Sequence, residues 1–305
     1  MTQAEDASLR TVVVAAAANL LIAVAKAVAA LLTGSAAMLA ETTHSIADTL
    51  NEVLLYVGVR RGARPADERH PFGYGQARYT WSLLAAVGIF VVGGLFAIAD
   101  GVQTLRRPEP VTNVAVSVAV LLISAGLEAT SWRRARRQLR SEAAARHLDL
   151  GEYLVISSDP TPTAVFLEDS AALVGIALAL TALVLHITTG SALWDCAASL
   201  LIGLLLIAVA VVLMRRNLVL LTDEAAPADI RERLRQVVAR EPWVAEVAEV
   251  AELTAVYIGP RHLLVLAHVV PVDAADLLEN IGRLRRRLLA VPAIAAAEIT
   301  PIERT

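Results

Sequence analysis

The chain has 305 residues, of which 56% fall in the hydrophobic set, 19% are charged and 4% are aromatic, with a formal net charge of −3. Ordinary globular chains carry about 25% charged residues, and the apolar residues here arrive in long blocks, which excludes a purely soluble enzyme, a disordered chain and a secreted disulfide scaffold. The lone cysteine, Cys196, forms no internal disulfide, and the weakly acidic balance offers no basic footprint for nucleic acid.

A helix crossing the hydrocarbon layer needs about 20 mostly apolar residues. On that measure the sequence predicts six spans: about Thr11 to Leu32, Ser35 to Val59, Tyr79 to Ala99, Val111 to Ala129, from after Pro162 to near His186, and Ala192 to Met214. The first block is followed after Gly34 by another span and lacks a polar cleavage region, so it reads as a span and not as a signal peptide. Basic residues set the orientation. Arg60, Arg61, Arg64, Arg69 and Arg78 follow the second span, Arg133, Arg134, Arg136, Arg137, Arg140 and Arg146 the fourth, and Arg215 and Arg216 the sixth. The opposite connections carry only Arg106 and Arg107. Both termini are therefore expected in the cytoplasm, and the run Arg133 to Arg140 reads as a topology determinant and a contact for anionic lipid.

After about Thr222 the composition changes. A helix is expected over Ala228 to Arg240, then strands Val247 to Ile258 and His262 to Val270 joined at Gly259-Pro260. A second helix follows over Asp273 to Leu289, with Asp273 as cap, and a last strand over Ile294 to Thr300. The expected fold is thus an α-helical membrane protein: a six-helix transmembrane domain over residues 1–221 and a small cytoplasmic αββαβ domain over residues 222–305.

The chemistry is sought where polar groups are expensive. In the second span Glu41, His44, Asp48 and Asn51 are spaced by three, four and three residues and so share one helical face. An imidazole and a carboxylate at i and i+4 suit a divalent transition metal; the competing reading is a polar seam bonded to a neighbouring helix. In the fifth span Asp159-Pro160-Thr161-Pro162 starts the helix and Glu168-Asp169 follows, two carboxylates pointing about 100° apart. Here the competing reading is a pair that satisfies the helix N-terminus. Lys26 is read as a partner of Glu41 or Asp48, or as a snorkelling side chain. Asp100 and Glu128 are read as solvated near span ends, and Asp195 as a cap of the sixth span.

Thr42-Thr43-His44-Ser45-Ile46-Ala47-Asp48 with Asn51 resembles the second-helix motif of the cation diffusion facilitators. His70-Pro71-Phe72-Gly73-Tyr74-Gly75 is similar to their loop between spans two and three, and Gly34 to Glu41 to their first turnaround. Asp159-Pro160 with Leu167-Glu168-Asp169-Ser170-Ala171-Ala172 resembles the branch that contains zinc transporter 9 and its bacterial relatives. The resemblance covers almost the whole chain. It implies a homodimer in the inner membrane that exports a divalent cation, zinc first, in exchange for protons, with a ferredoxin-like cytoplasmic domain that makes dimer contacts.

It also implies a site of two residues from span two and two from span five, four apart in each helix. His44 and Asp48 match the first pair and Asp169 the last position, whereas Val165 stands where the fourth ligand is usual. Glu168 is the first replacement, with Asn51 or water behind it and Glu41 and Lys26 as accessory groups. An oxygen-richer shell of this kind leaves manganese and iron open beside zinc. The metal enters as transported substrate, and no prosthetic group is expected. In the cytoplasmic domain His268 fits one metal position of the family, while Glu252 and Thr300 stand where histidines are common, so a complete cluster is not expected there. Arg78 stands where much of the family has a glutamate. Two readings from other classes stay open: a non-transporting membrane scaffold that kept the fold, and a metal-dependent membrane enzyme, against which no nucleophile–base constellation is found.

Overall fold

The computed structural model describes residues 19–34, 36–106, 113–247, 253–272 and 276–302. The chain divides into two compact units, Met1–Gly58 with Thr80–Asn217, and Val59–Tyr79 with Leu218–Thr305.

The first unit is helical. Its elements are α1, described over Asn19–Thr33, α2 (Ala36–Gly62), α3 (Ala77–Gly88), a π-helical stretch (Ile89–Leu95), α4 (Phe96–Arg106), α5 (Val114–Ala145), α6 (Leu150–Ile156), α7 (Pro160–Thr189) and α8 (Leu193–Leu221). Among the described residues, four runs are long and apolar enough to cross a membrane: Ala77–Arg106, Val114–Ala145, Pro160–Thr189 and Leu193–Leu221. The described part of α1 is apolar but shorter, and α2 has 27 residues but carries the polar face noted above.

The distribution of side chains is that of a bundle solvated by lipid. Large apolar residues such as Leu21, Leu31, Ile123, Val184 and Leu204 are exposed, while the buried core is rich in alanine, including Ala29, Ala40, Ala86, Ala97, Ala172 and Ala210. Without water to drive apolar faces together, helices associate through close approach of small residues. Gly94 and Gly203 show this between the π-helical stretch and α8. A β-carbon on Gly203 would meet the Gly94 carbonyl oxygen at 2.9 Å. The same pair of helices is pinned by Cys196, whose thiol donates to the Gly101 carbonyl at 3.0 Å, and by Ser199, whose hydroxyl donates to that of Ala97 at 2.9 Å.

Several sequence expectations shift. The fourth span was expected to end at Ala129, but α5 runs to Ala145 and is about 48 Å long. Its helix-favouring alanines and arginines carry it past the hydrocarbon limit. Glu128 is therefore in mid-helix and buried, not solvated at an end. α7 was expected to begin after Pro162 but opens at Pro160, since a proline at the first helical position loses no helical hydrogen bond; Asp159 accepts from the Thr161 N–H at 3.2 Å, and Gly190 closes the helix at φ 72°. Thr11, Ser35 and Arg107 lie outside the described residues.

The second unit packs α9 (Ala228–Ala239) and α10 (Leu277–Leu289) with a sheet of β1 (Val244–Val247), β2 (Leu253–Gly259), β3 (His262–Pro271) and β4 (Ile294–Pro301). β3 is central. β1 and β2 are antiparallel to it, and β4 runs parallel along the other edge from Leu263 to Val269. β2 begins inside the strand expected over Val247 to Ile258, and β1, which shares only Val247 with it, is an added strand, giving the order αβββαβ in place of αββαβ. Val247 pairs with Val269 and Leu253 with Ala267. Residues alternate along β3, with Leu263, Val265, Ala267 and Val269 buried in the core with Leu284 and Leu288 of α10. Asp273 lies outside the described residues; Asp276 precedes α10 in a left-handed conformation at φ 53° with no side-chain cap. The helix instead carries Glu279 in its first turn and Arg286 and Arg287 in its last, matching its dipole.

The loop from Val59 to Tyr79 belongs to this unit. Asp67 accepts the Tyr74 hydroxyl at 2.7 Å and the backbone N–H groups of His70 and Arg69 at 2.8 and 3.0 Å. Gly73 takes φ 82°, and the His70 and Tyr74 rings lie 4.0 Å apart. Gly75 abuts Gly259 so closely that a β-carbon on it would meet the Ile258 carbonyl oxygen at 2.7 Å. The loop is thereby fixed on the β2–β3 turn.

Candidate metal site

α2 is inverted relative to a soluble amphipathic helix. Ile46, Leu50 and Val53 are exposed, while Glu41, His44, Ser45, Asp48 and Asn51 are buried. The three-and-four spacing makes this face continuous.

Each polar side chain on that face meets a group from another helix or from its own next turn. At one end the Lys26 ammonium of α1 donates to Glu41 Oε2 at 3.0 Å and to the Ser45 hydroxyl at 2.8 Å, with both ion-pair side chains fully buried. The pairing alternative for Lys26 is the one adopted, and its partner is Glu41. Gly175 of α7 makes room for it, since a β-carbon there would fall 2.2 Å from Glu41 Oε1. One turn on, His44 Nε2 lies 3.5 Å from Asp48 Oδ2. A turn further, Asn51 donates to Glu168 Oε2 of α7. Asn19 of α1 donates to Glu52 Oε1 at 2.8 Å.

On α7 the two adjacent carboxylates divide as the helix geometry predicts. Glu168 turns to α2 through Asn51, and Asp169 turns to α5, where it lies beside Glu128 and Ser131. α5 is held against α7 by Trp132, whose Nε1–H donates to the Ser170 hydroxyl at 2.9 Å and whose ring stacks on Phe166 at 6.0 Å.

Several polar atoms in this interior have no hydrogen-bond partner among the described residues: both ring nitrogens of His44, Asp48 Oδ1, Glu168 Oε1, Asp169 Oδ2 and Glu52 Oε2. Leaving a buried polar atom unpaired costs about 1–3 kcal/mol, so a concentration of such atoms in one helical interior marks the candidate site. Among the described residues, however, no three His, Cys, Asp or Glu side chains stand close enough to share one ion. The structure brings together His44 with Asp48, Asn51 with Glu168, and Asp169 with Glu128, as neighbouring pairs. Val165 lies one turn before Asp169 and contributes no donor atom.

Sequence reasoning missed two participants. Glu128 was set aside because its span was drawn too short; an acid within an otherwise apolar run was the available signal. Glu52 was seen only as an interruption of span two. Asp195 stands in the first turn of α8 and is buried. His268 of β3 is half-buried and pairs in register with Thr300, and Glu252 lies outside the described residues.

The chain is similar in sequence to known proteins. Residues 12–222 match the family described as the cation efflux transmembrane domain. The chain is 34% identical over 241 residues to the proton-coupled zinc antiporter SLC30A9, mitochondrial, of Xenopus laevis, covering 79% of this chain and 43% of that protein. It is 37% identical over 180 residues to metal tolerance protein C4 of Arabidopsis thaliana, covering 59% of this chain and 39% of the relative. Over 100 residues it is 36% identical to the cation-efflux pump FieF of Shewanella oneidensis, 32% of this chain and 33% of the pump. The chain thus spans less than half the length of these curated relatives. With the match extending over more than half of its residues, the chain belongs to the cation efflux family.

Proposed function

We propose that this protein is a secondary transporter that moves a divalent cation, zinc first, out of the cytoplasm in exchange for protons. The observation that carries the reading is the set of buried, unpartnered lone-pair donors on His44, Asp48, Glu168 and Asp169 between α2 and α7. The names of the relatives, a zinc antiporter and a cation-efflux pump, favour the same substrate class. The metal is cargo, and manganese or iron are the alternatives for an oxygen-rich shell.

A metal ion binds carboxylates and a neutral imidazole, so its arrival displaces the protons those groups hold. Metal and protons compete for the same lone pairs, and this competition couples their opposite movements. The helices shift so that the neighbouring carboxylates and His44 converge on the ion. Alternation between two helix arrangements then exposes the site to one side and the other. In this reading α1 and α2 complete six spans, both termini are cytoplasmic, the host membrane is the inner membrane, and the C-terminal unit is a ferredoxin-like domain over residues 222–305 that joins two copies. His268 is a low-occupancy metal contact at most in such a domain.

The test is uptake of Zn²⁺ and Mn²⁺ into proteoliposomes under an imposed pH gradient. Gradient-dependent flux that falls to background in Asp48→Ala is the expected result. Normal flux in that variant sinks the site. The scaffold reading is favoured by Val165, and it predicts no flux from an intact, folded protein.

A further inference from the structure

Glu128 is 4% exposed in the middle of α5, with Leu122, Ile123 and Leu127 on the same stretch exposed. A carboxylate turned inward from a membrane helix is costly unless something there requires it. Its position against α7 is fixed by the neighbouring turn. Trp132, four residues on, is seated between Phe166 and Ser170, the residues that follow Val165 and Asp169. That register brings the Glu128 carboxyl into contact with Asp169. Two carboxylates pressed together away from water repel unless a proton or a cation stands between them, and those are the two species that compete for the pair in proton-coupled transport. The second sign of a ligand comes from α2: His44, 1% exposed, has no partner on either ring nitrogen, and Asp48 Oδ1 has none.

We propose that Glu128 is a ligand of the transported divalent cation, contributed by a third helix and taking the place that Val165 leaves without a donor. The inference rests on the transporter reading above. The shell becomes His44 and Asp48 from α2, Asp169 from α7 and Glu128 from α5, with Glu168 held by Asn51 as the reserve oxygen. It has one nitrogen and three carboxylates. Carboxylate oxygens suit harder ions and imidazole suits zinc, so Glu128 widens the range of ions accepted toward manganese.

The test uses the full chain in proteoliposomes, measuring Zn²⁺ and Mn²⁺ flux for Glu128→Gln, Glu128→Asp and Glu128→His beside the unmodified protein and Asp48→Ala. Each variant is checked by size exclusion and thermal unfolding. Glu128→Gln is expected to raise KM at least about tenfold, the scale of damage that even indirect metal contacts cause, and to do so more for Mn²⁺ than for Zn²⁺. Glu128→Asp regains part of the affinity, and Glu128→His shifts preference toward Zn²⁺. Unchanged KM and ion preference in Glu128→Gln, with Asp48→Ala inactive, would overturn the proposal and leave the transporter reading standing. If Glu128→Gln does not fold, the ion preference of the Asp and His variants decides in the same way. Should the unmodified protein move neither ion, the transporter reading fails by itself. Zn²⁺ titration of the detergent-solubilised protein then decides the ligand question: equal affinity with and without the Glu128 carboxylate, or no binding at all, overturns it.

Discussion

At the residue scale, the Lys26–Glu41 pair is the most demanding feature of the interior. Both side chains are fully buried, and removing one partner of such a pair costs about 3–5 kcal/mol because the other charge is left without compensation. Lys26→Met is therefore expected to lower thermal stability in detergent strongly, and Lys26→Met with Glu41→Met to recover most of it. If the double variant melts no higher than the single one, the pair is not what holds α1 to α2. Gly175 makes a sharper test of the same packing. A β-carbon there lies 2.2 Å from Glu41 Oε1, so Gly175→Ala should cost roughly 1–3 kcal/mol as overpacking. Adding Glu41→Asp, one methylene shorter, should offset part of that loss. An unaltered melting temperature in Gly175→Ala would show that Glu41 has room the geometry denies it. The Lys26–Glu41 pairing was one of the alternatives the sequence offered, whereas the fit of Gly175 against Glu41 was not legible beforehand. The period of α2 places Glu41, His44, Asp48 and Asn51 on one face from the sequence alone, but periodicity says nothing about which helix stands opposite. Glu128 escaped for a related reason: hydropathy ended its span at Ala129, while helix propensity carried α5 on to Ala145.

At the scale of the element, the loop between α2 and α3 is ordered by one carboxylate. Hydrogen bonds from the Tyr74 hydroxyl, and then from the His70 backbone N–H, hold the Asp67 carboxyl below the usual range, and the same contact raises the Tyr74 phenol. The sign follows from linkage. A carboxylate whose folded pKa is depressed adds stability that is fully present above its ordinary pKa, about 4, and is lost as the pH falls through the lower folded value. The loop is therefore expected to keep its structure at pH 5 and to loosen only in stronger acid. Tyr74→Phe should move the Asp67 titration upward toward the ordinary carboxylate value, followed by NMR of a labelled side chain. An unmoved titration would mean that the backbone donors alone set it. The motif His70 to Gly75 was recognisable as a turn from its glycines, and Gly73 does adopt a positive φ. Its seat against Gly259 depends on a contact almost 200 positions away and left no local signature. In the same way β1 was missed, because its four residues, Val244 to Val247, are too short a run for alternation to mark a strand.

For the whole molecule, the decisive pattern is that apolar bulk faces outward and alanine, glycine and ionisable groups face inward over the helical unit. This is the arrangement of a protein whose solvent is lipid, and it agrees with four helices of spanning length and composition. The proposed threading rests on charge: arginines cluster after α2, along the second half of α5 and at the end of α8, and the rule that basic connections stay in the cytoplasm predicts one side for all three. Cysteine accessibility tests this directly. Cys196 is the single native cysteine and is buried, so Cys196→Ser gives a clean background that keeps a donor toward the Gly101 carbonyl. Single cysteines at Glu68, Ser141 and Glu298, all exposed, are expected to react with a membrane-impermeant maleimide from one side, and a cysteine at Ser191, between α7 and α8, from the other. That outcome requires an even number of crossings between residue 68 and residue 141, and again between residue 141 and residue 298. Reaction of the Ser191 position from the same side as Ser141 would mean that α7 does not cross, and the carboxylates of Glu168 and Asp169 would then lie outside the transport path.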